Sequence, residues 1–236
     1  MAKIALIGAG GVIFAQNFIK DLLISETLRD SEIVLMDIDA GRLKNAEIFA
    51  EKIGEKLKVE PQIKTTTDLH QAVQGADYVI TLFRAGTLEH QRLEQEIPRK
   101  YGVDQVVGDT MGPGGVFRAL RHIPNLVEIA KEMQELCPNA ILFNYSNPMA
   151  MCCWALGKMP GLQFVGLCHG VQTTMDLIGS YTGVPKDEID FVAAGINHMG
   201  WFLKLEHKGK DLYPILKKNF EKPRSEERRV GKECRL

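Results

Sequence analysis

The sequence predicts an α/β fold: a doubly wound parallel sheet, followed by the start of a second, α+β domain that is cut short. Three observations carry this expectation. Continuous apolar runs alternate with segments whose apolar residues recur at three and four, the first run breaks into glycines, and the second ends in acids. Strands buried on both faces read as unbroken apolar runs, whereas helices laid on them show one apolar stripe.

"KIALIGAGG", from Lys3, is the first strand with its glycine turn, and "VIFAQNFIKDLLIS" is the helix after it. "EIVLMDID", from Glu32, is the second strand and "AGRLKNAEIFAEKIGEKL" the second helix. "IKTTTD", Ile63 to Asp68, makes a third strand, a short helix comes next, and "ADYVITLF" makes a fourth strand. From Arg84 to Arg121 the chain reads as loop-rich, with "GDTMGPGG" punctuating rather than packing. "HIPNLVEIAKEMQELC" is a helix, "AILFNYSNPM" a fifth strand ending in polar residues, and "LQFVGLCHG" a sixth. "FVAAGINHMGWFLKLEH" begins as a strand and continues with the alternation of an antiparallel one. No repeat or linker is visible, so the six-strand unit and the segment after it are expected to pack together.

With 236 residues, 45% of them apolar and 25% charged, the chain can bury a sizeable core. Its apolar runs fall well short of the ~18 residues of a membrane span. The start "MAKIALIGAG" has no separate basic region or cleavage site. A cytoplasmic protein without a membrane partner is expected. The cysteines at 137, 152, 153, 168 and 234 show no C-x-x-C spacing, which favours reduced thiols. A net charge of -1, without a basic patch before residue 223, argues against a nucleic-acid partner. The patch that does occur, "RSEERRVGKECRL" from Arg224, looks like translated sequencing-adapter read-through. Without it the balance is 24 basic to 27 acidic residues.

Gly8, Gly10 and Gly11 suit a dinucleotide fingerprint, in which glycines allow a tight turn and close approach to a pyrophosphate at a helix N-terminus. The third fingerprint position is Ile13, so helix and strand are expected to pack less closely. Asp37 ends the second strand, where a carboxylate accepts from ribose hydroxyls and repels a 2′-phosphate, pointing to NAD; Asp39 is the adjacent alternative. Cys168 and His198 come just after strands, at the edge where such sheets bind ligands. Both can ligate a divalent metal, and both residue types are also common as plain structural groups. Asn147 and Asp109 converge on the same edge, as polar ligands or as turn caps.

"IGAGGVIF", "LMDID", "IPRKYG", "DTMGPGG", "NYSNPMAM", "VGLCHGVQ" and "AGINHMGW" succeed one another as they do in glycoside hydrolase family four, which the chain resembles over residues 3 to 223. These are NAD- and manganese-dependent glycosidases, and the resemblance is greatest to the α-galactosidase branch. It implies NAD and Mn2+ (or another divalent metal) as cofactors, a small-molecule glycoside as substrate, and a homo-oligomer at full length. Cys168 and His198 match the metal ligands, Asn147 and Arg92 match substrate contacts, and Asp109 matches an acid that raises the basicity of a catalytic tyrosine. His169 stands where some related α-glucosidases carry a general-acid aspartate.

The implied reaction departs from two-carboxylate glycoside hydrolysis. NAD oxidises sugar C3, the ketone acidifies the C2 proton, a metal-stabilised elimination expels the aglycone, and water and hydride then add back. The resemblance implies an NAD-binding Rossmann-like domain (1–155) and a sheet continuation opening the catalytic domain (156–223), and the adapter-like composition sets off a non-native tail (224–236). The family's catalytic base lies beyond the histidine ligand. The chain is therefore expected to hold the cofactor fold, lack a complete site, be inactive and expose apolar surface. α-Glucosidase and α-galacturonidase are alternatives within the family. A 2-hydroxy-acid dehydrogenase and an NAD-sensing module are alternatives outside it.

Overall fold

The computed structural model describes residues 1–105 and 108–220, so the segment read as a tail, with Cys234, lies outside the described residues. The strands β1 (Lys3–Ile7), β2 (Glu32–Met36), β3 (Gln62–Thr66), β4 (Tyr78–Thr81), β5 (Ile141–Asn144) and β6 (Gln163–Gly166) form one parallel sheet in the order β3-β2-β1-β4-β5-β6. Strand order reverses beside β1, and open sheets of this kind bind ligands outside the carboxyl ends of their strands at that switch point.

The unbroken apolar runs have a direct structural cause. Alternate residues of a strand point to opposite faces, and here both faces are covered. Ala5, Ile7, Val34, Met36, Val79 and Leu142 join one cluster, closed by Leu126, Ile129 and Met133 of α5 (Gly112–Leu136) and by α3 (Leu69–Val73). Ile4, Leu6, Ile33, Leu35 and Ile80 join the other, closed by Ile19 and Leu23 of α1 (Phe14–Ile24) and by Leu43 and Ala50 of α2 (Ala40–Leu57).

The middle of the chain is more regular than its sequence suggests. It contains α4 (Leu88–Lys100) and the start of α5. Among the residues of α4 only Glu94 and Pro98 are buried, so the helix carries no apolar stripe to read. The "GPGG" cluster packs instead of merely punctuating. Pro113 sits in the first turn of α5, where its missing N–H removes no helical bond. A Cβ at Gly114 would lie 2.4 Å from the Gly108 carbonyl oxygen, and one at Gly115 would lie 2.6 Å from the Thr110 carbonyl carbon. The glycines therefore let the preceding loop lie directly on the helix.

After α6 (Met149–Leu156) and β6 come α7 (Gly170–Thr182), a 3-10 turn, the strands β7 (Asp190–Ile196), β8 (Met199–His207) and β9 (Lys210–Asp211), and α8 (Tyr213–Phe220). The segment that reads as one continuing strand is a hairpin, β7 against β8, turning at Asn197 and His198. Met175, Ile178, Ile189, Leu205 and Leu212 make a separate core. It shares no member with the two clusters on the large sheet. Among the described residues no helix is long and apolar enough to cross a membrane, and the four described cysteines are free.

Leu6 is fully buried at the centre of its cluster. Leu6→Ala should lower the unfolding free energy by about 3 kcal/mol, as cavity-forming substitutions do, read as a drop in urea midpoint at constant m-value.

Candidate functional site at the carboxyl edge of the sheet

The first grouping is the glycine turn and Asp37. Gly8 adopts φ +93°, and a Cβ there would sit 2.6 Å from the Phe83 amide nitrogen beyond β4. The amides of Gly8 and Ala9 both donate to the Met36 carbonyl at 2.9 Å, which ties the turn to β2. Gly10 then donates its amide to Asp37 Oδ2 at 2.9 Å, and a Cβ at Gly10 would meet that same oxygen at 2.7 Å. Gly11 differs, because the nearest atom to its added Cβ is the Gly8 carbonyl at 3.5 Å, ordinary contact distance. No neighbour in the protein demands glycine there, and the position faces outward.

The two neighbouring acids separate by their bonds. Asp39 caps α2, its Oδ1 accepting from the amides of Gly41 (2.9 Å) and Arg42 (3.0 Å), so it is committed to the helix. Asp37 is the acid that meets the glycine turn. Ile13, just before α1, is 70% exposed, and Ile38, next in sequence to Asp37, is 90% exposed. A carboxylate is acceptor-only and can take hydrogen bonds from ligand hydroxyls.

The second grouping joins Asp109 to Asn147. A buried polar network fixes the chain after β5. Asn144 Oδ1 accepts from Thr81 Oγ1 (3.0 Å) and the Ser146 amide (3.3 Å), while Ser146 Oγ donates to the Phe83 carbonyl (3.0 Å). The next peptide bond, Asn147–Pro148, is cis. From α5, Arg118 donates Nε to the Asn147 carbonyl (3.2 Å) and Nη1 to Asp109 Oδ2 (3.3 Å). Burial pushes the Arg118 guanidinium below its usual pKa, and the Asp109 charge opposes that push.

One turn on, His122 is fully buried and stacked on Phe83 at 5.5 Å. Its Nε2 accepts from the Ala85 amide (3.2 Å) and its Nδ1 faces the Arg118 carbonyl (3.1 Å), which fixes a neutral ring protonated at Nδ1. Burial, together with the Arg118 charge, lowers its pKa to about 4.

The third grouping is the corner after β6. Cys168 is half-buried and its Sγ accepts from the Gly170 amide at 3.3 Å. His169 occupies the N-cap position of α7, with Nδ1 3.2 Å from Tyr145 Oη. The Tyr145 ring meets the edges of Phe14 (4.9 Å) and Phe18 (5.4 Å) on α1. Tyr145 thus joins the helix behind the glycine turn to the Cys168–His169 corner.

Two residues stand apart from these groupings. His198 is exposed in the β7–β8 turn at φ +63°, and no hydrogen bond or ion pair links it to Cys168. Arg92 lies on α4, pairing with Glu89 (Nε to Oε2, 2.8 Å) and with Glu96 on its own helix. No group of three or more His, Cys, Asp or Glu side chains converges on a metal-sized site among the described residues. Sequence reasoning misses Arg118, His122, Tyr145 and Asn144. Each works through contacts across the fold, and only Tyr145 and Asn144 carry a signal, as the polar end of an apolar strand.

His122 sets a pH dependence. An unfolded histidine titrates near 6.5 while the buried one titrates near 4, so between those values the unfolded chain holds more protons and stability falls as pH falls. The loss should approach ~3 kcal/mol below pH 4. Urea unfolding at pH 7 and pH 5 should show a smaller difference for His122→Gln, which cannot titrate, than for the parent chain.

Known proteins share both the sequence pattern and the fold. The family 4 glycosyl hydrolase model matches residues 3–184. The model of the C-terminal domain of that family matches 193–234, running through most of the segment read from the sequence as a tail. The chain is 40% identical over 219 residues to an alpha-galactosidase of Bacillus subtilis (strain 168), covering 92% of this chain and 51% of that protein. It is 38% identical over 227 residues to an alpha-galacturonidase of Thermoanaerobacter italicus, covering 93% and 49%. A solved 6-phospho-alpha-glucosidase from gut microorganisms, in complex with NAD and Mn2+, superposes with a TM-score of 0.84 at 27% identity, covering 93% of this chain and 50% of that one. The chain spans about half the length of the curated relatives it matches.

Proposed function

The chain belongs to family 4 of the glycosyl hydrolases, and from that premise we propose that the whole protein hydrolyses α-galactosides with NAD and a divalent metal, manganese, as cofactors. The observation that carries this reading is the bridge through Tyr145, which brings the glycine turn and the Cys168–His169 corner to one edge of the sheet. The galactoside is favoured by the 40% identity to the Bacillus subtilis alpha-galactosidase. α-Galacturonide and α-glucoside are the alternatives, the former favoured by the Thermoanaerobacter italicus relative. The dehydrogenase and NAD-sensing readings share the sheet and the turn but leave the family match unexplained. The reading also takes the whole protein to be a cytoplasmic homo-oligomer.

When bound, NAD supplies a hydride acceptor that also returns the hydride, and the metal supplies a Lewis acid. The chain's residues suit both. Gly8, Gly10 and Gly11 bring the backbone close to a pyrophosphate at the start of α1, with Gly11 open to the outside. Asp37 accepts from ribose hydroxyls and repels a 2′-phosphate, which selects NAD. Cys168 and His198 are the residues to hold the metal. Cys168 would offer its Sγ from the corner after β6, where it accepts from the Gly170 amide, and His198 its imidazole from the β7–β8 turn.

Asn147 and Arg92 contact the sugar. The Oδ1 of Asn147 is occupied by the Met149 amide, which leaves its Nδ2 to donate. Asp109 raises the basicity of the catalytic base, as a nearby anion does. His169 acts as general acid: as an imidazolium it would direct Nδ1–H to Tyr145 Oη, 3.2 Å away, and pass the Nε2 proton to the leaving oxygen.

The test measures aglycone release by the whole protein from aryl α-galactoside, α-glucoside and α-galacturonide under reducing conditions, with NAD and manganese each present or omitted. Release from the galactoside that needs both, without net NADH, is expected. NADH accumulating with a 2-hydroxy acid, or cleavage independent of NAD, overturns the reading. Cys168→Ser should lower metal-dependent turnover at least about 100-fold. Undiminished turnover by that variant in chelator sinks the ligand assignment.

A further inference from the structure

Arg118 belongs to no motif named from the sequence, yet it is the side chain on which two separate loops meet. Its side chain is only 11% exposed. Through Nε it holds the carbonyl of Asn147, in the loop after β5, and through Nη1 it holds Asp109, in the loop before α5. These loops are otherwise anchored to different supports. The Asn147 loop hangs from the Thr81–Asn144–Ser146 network at the ends of β4 and β5. The Asp109 loop lies on the glycines of α5, and Gln105 joins its base to the Gly114 amide (2.8 Å) and to the Glu94 carbonyl of α4 (2.7 Å).

Nothing else among the described residues bonds Asp109 to the Asn147 loop, since the remaining hydrogen bond to the Asp109 carboxylate comes from its neighbour Thr110. The backbone of Arg118 is in turn fixed by His122, whose Nδ1–H donates to the Arg118 carbonyl while Nε2 accepts from Ala85. A planar guanidinium reaches two acceptors at a set angle, which a single ammonium cannot do.

We infer that Arg118 is a positioning residue of the active site, locking Asp109 and Asn147 into one frame across the opening between α5 and β5. Its effect rests on the proposed roles of the two residues it holds. In a preorganised site a displacement of about 1 Å can cost about 100-fold in rate, so this bridge governs turnover rather than cofactor affinity.

The experiment uses the whole protein with Arg118→Met, Arg118→Lys, Asp109→Asn and the Arg118→Met/Asp109→Asn double variant. Hydrogen exchange reads the bridge without reference to activity. Amides of residues 108–111 and 145–150 should exchange faster together in Arg118→Met, while those of β1 stay unchanged. Acceleration in neither loop, or in one alone, overturns the inference even if the protein is a fully active glycosidase. Kinetics reads the positioning. kcat on the cleaved glycoside should fall about 10- to 100-fold in Arg118→Met, with NAD binding within about twofold of the parent, and Arg118→Lys should recover only a small part.

In the Asp109→Asn background the same Arg118 change should cost less than about threefold, because coupled residues are non-additive. Equal losses in both backgrounds, or full recovery by lysine, overturn the positioning role. A parent protein that binds NAD and cleaves no glycoside refutes the proposed function. The exchange measurement still decides the bridge in that case.

Discussion

Burial of β1 on both faces is the constraint on which the rest of this structure depends. Ala5 and Ile7 face one helical layer and Ile4 and Leu6 the other, and the strand pairs with β2 on one side and β4 on the other. Its side chains and its ladder bonds are thereby committed to the interior, and the first freedom available to the chain comes at its carboxyl end. There the turn at Gly8 must pass beneath Phe83, and the amides of Gly8 and Ala9 share one carbonyl of β2. A rigid strand that ends in a forced turn is what lets a backbone amide at Gly10 meet a carboxylate twenty-seven residues away with defined geometry.

The edge of the sheet is organised by buried polar groups to a degree unusual for a surface. Thr81 and Asn144 are fully buried and satisfy one another across β4 and β5. His122 is buried beside them as a neutral ring held at both nitrogens. Leaving any of these groups without its partner would incur the desolvation cost of a buried donor or acceptor, about 1–3 kcal/mol each. The network therefore defines the path of the loop from Tyr145 to Pro148 and, through Arg118, the approach of the Asp109 loop.

Much of the fold is legible in the sequence because its signal is local. Unbroken apolar runs mark strands buried on two faces, and the glycines and Asp37 mark the ends of β1 and β2. The elements that escape notice are those whose stability comes from elsewhere. Helix α4 presents Glu94 and Pro98, not an apolar stripe, to its neighbours, and Glu94 is paired with Arg121 of α5. The β7–β8 hairpin turns without the glycine that usually signals a reversal at that point. For the candidate site the same division holds. Spacing and strand ends suffice to name Gly8, Gly10 and Asp37, while the choice between Asp37 and Asp39 is settled only by seeing which carboxylate caps α2. Arg118 lies nine residues from Asp109 and twenty-nine from Asn147. No short-range pattern distinguishes it from the neighbouring Arg121 of α5, because its role is defined entirely by tertiary contact.

The hairpin that carries His198 has a different kind of order. The residues of β7 are exposed along its whole length, and β8 buries Leu205 alone. In a strand with one buried face, sliding by a single residue would turn its apolar side chains outward, and that penalty locks the pairing. Among the described residues Leu205 and the partly buried Phe202 alone supply that penalty. Alignment of β7 on β8 rests on the turn at His198 and on the irregularity between Val192 and Ala193. The height at which the imidazole is presented is consequently set by the turn and the bulge together with the anchor of Leu205 in its small core. Changes of one residue in that ribbon would translate the histidine along the strand axis while leaving the large sheet untouched.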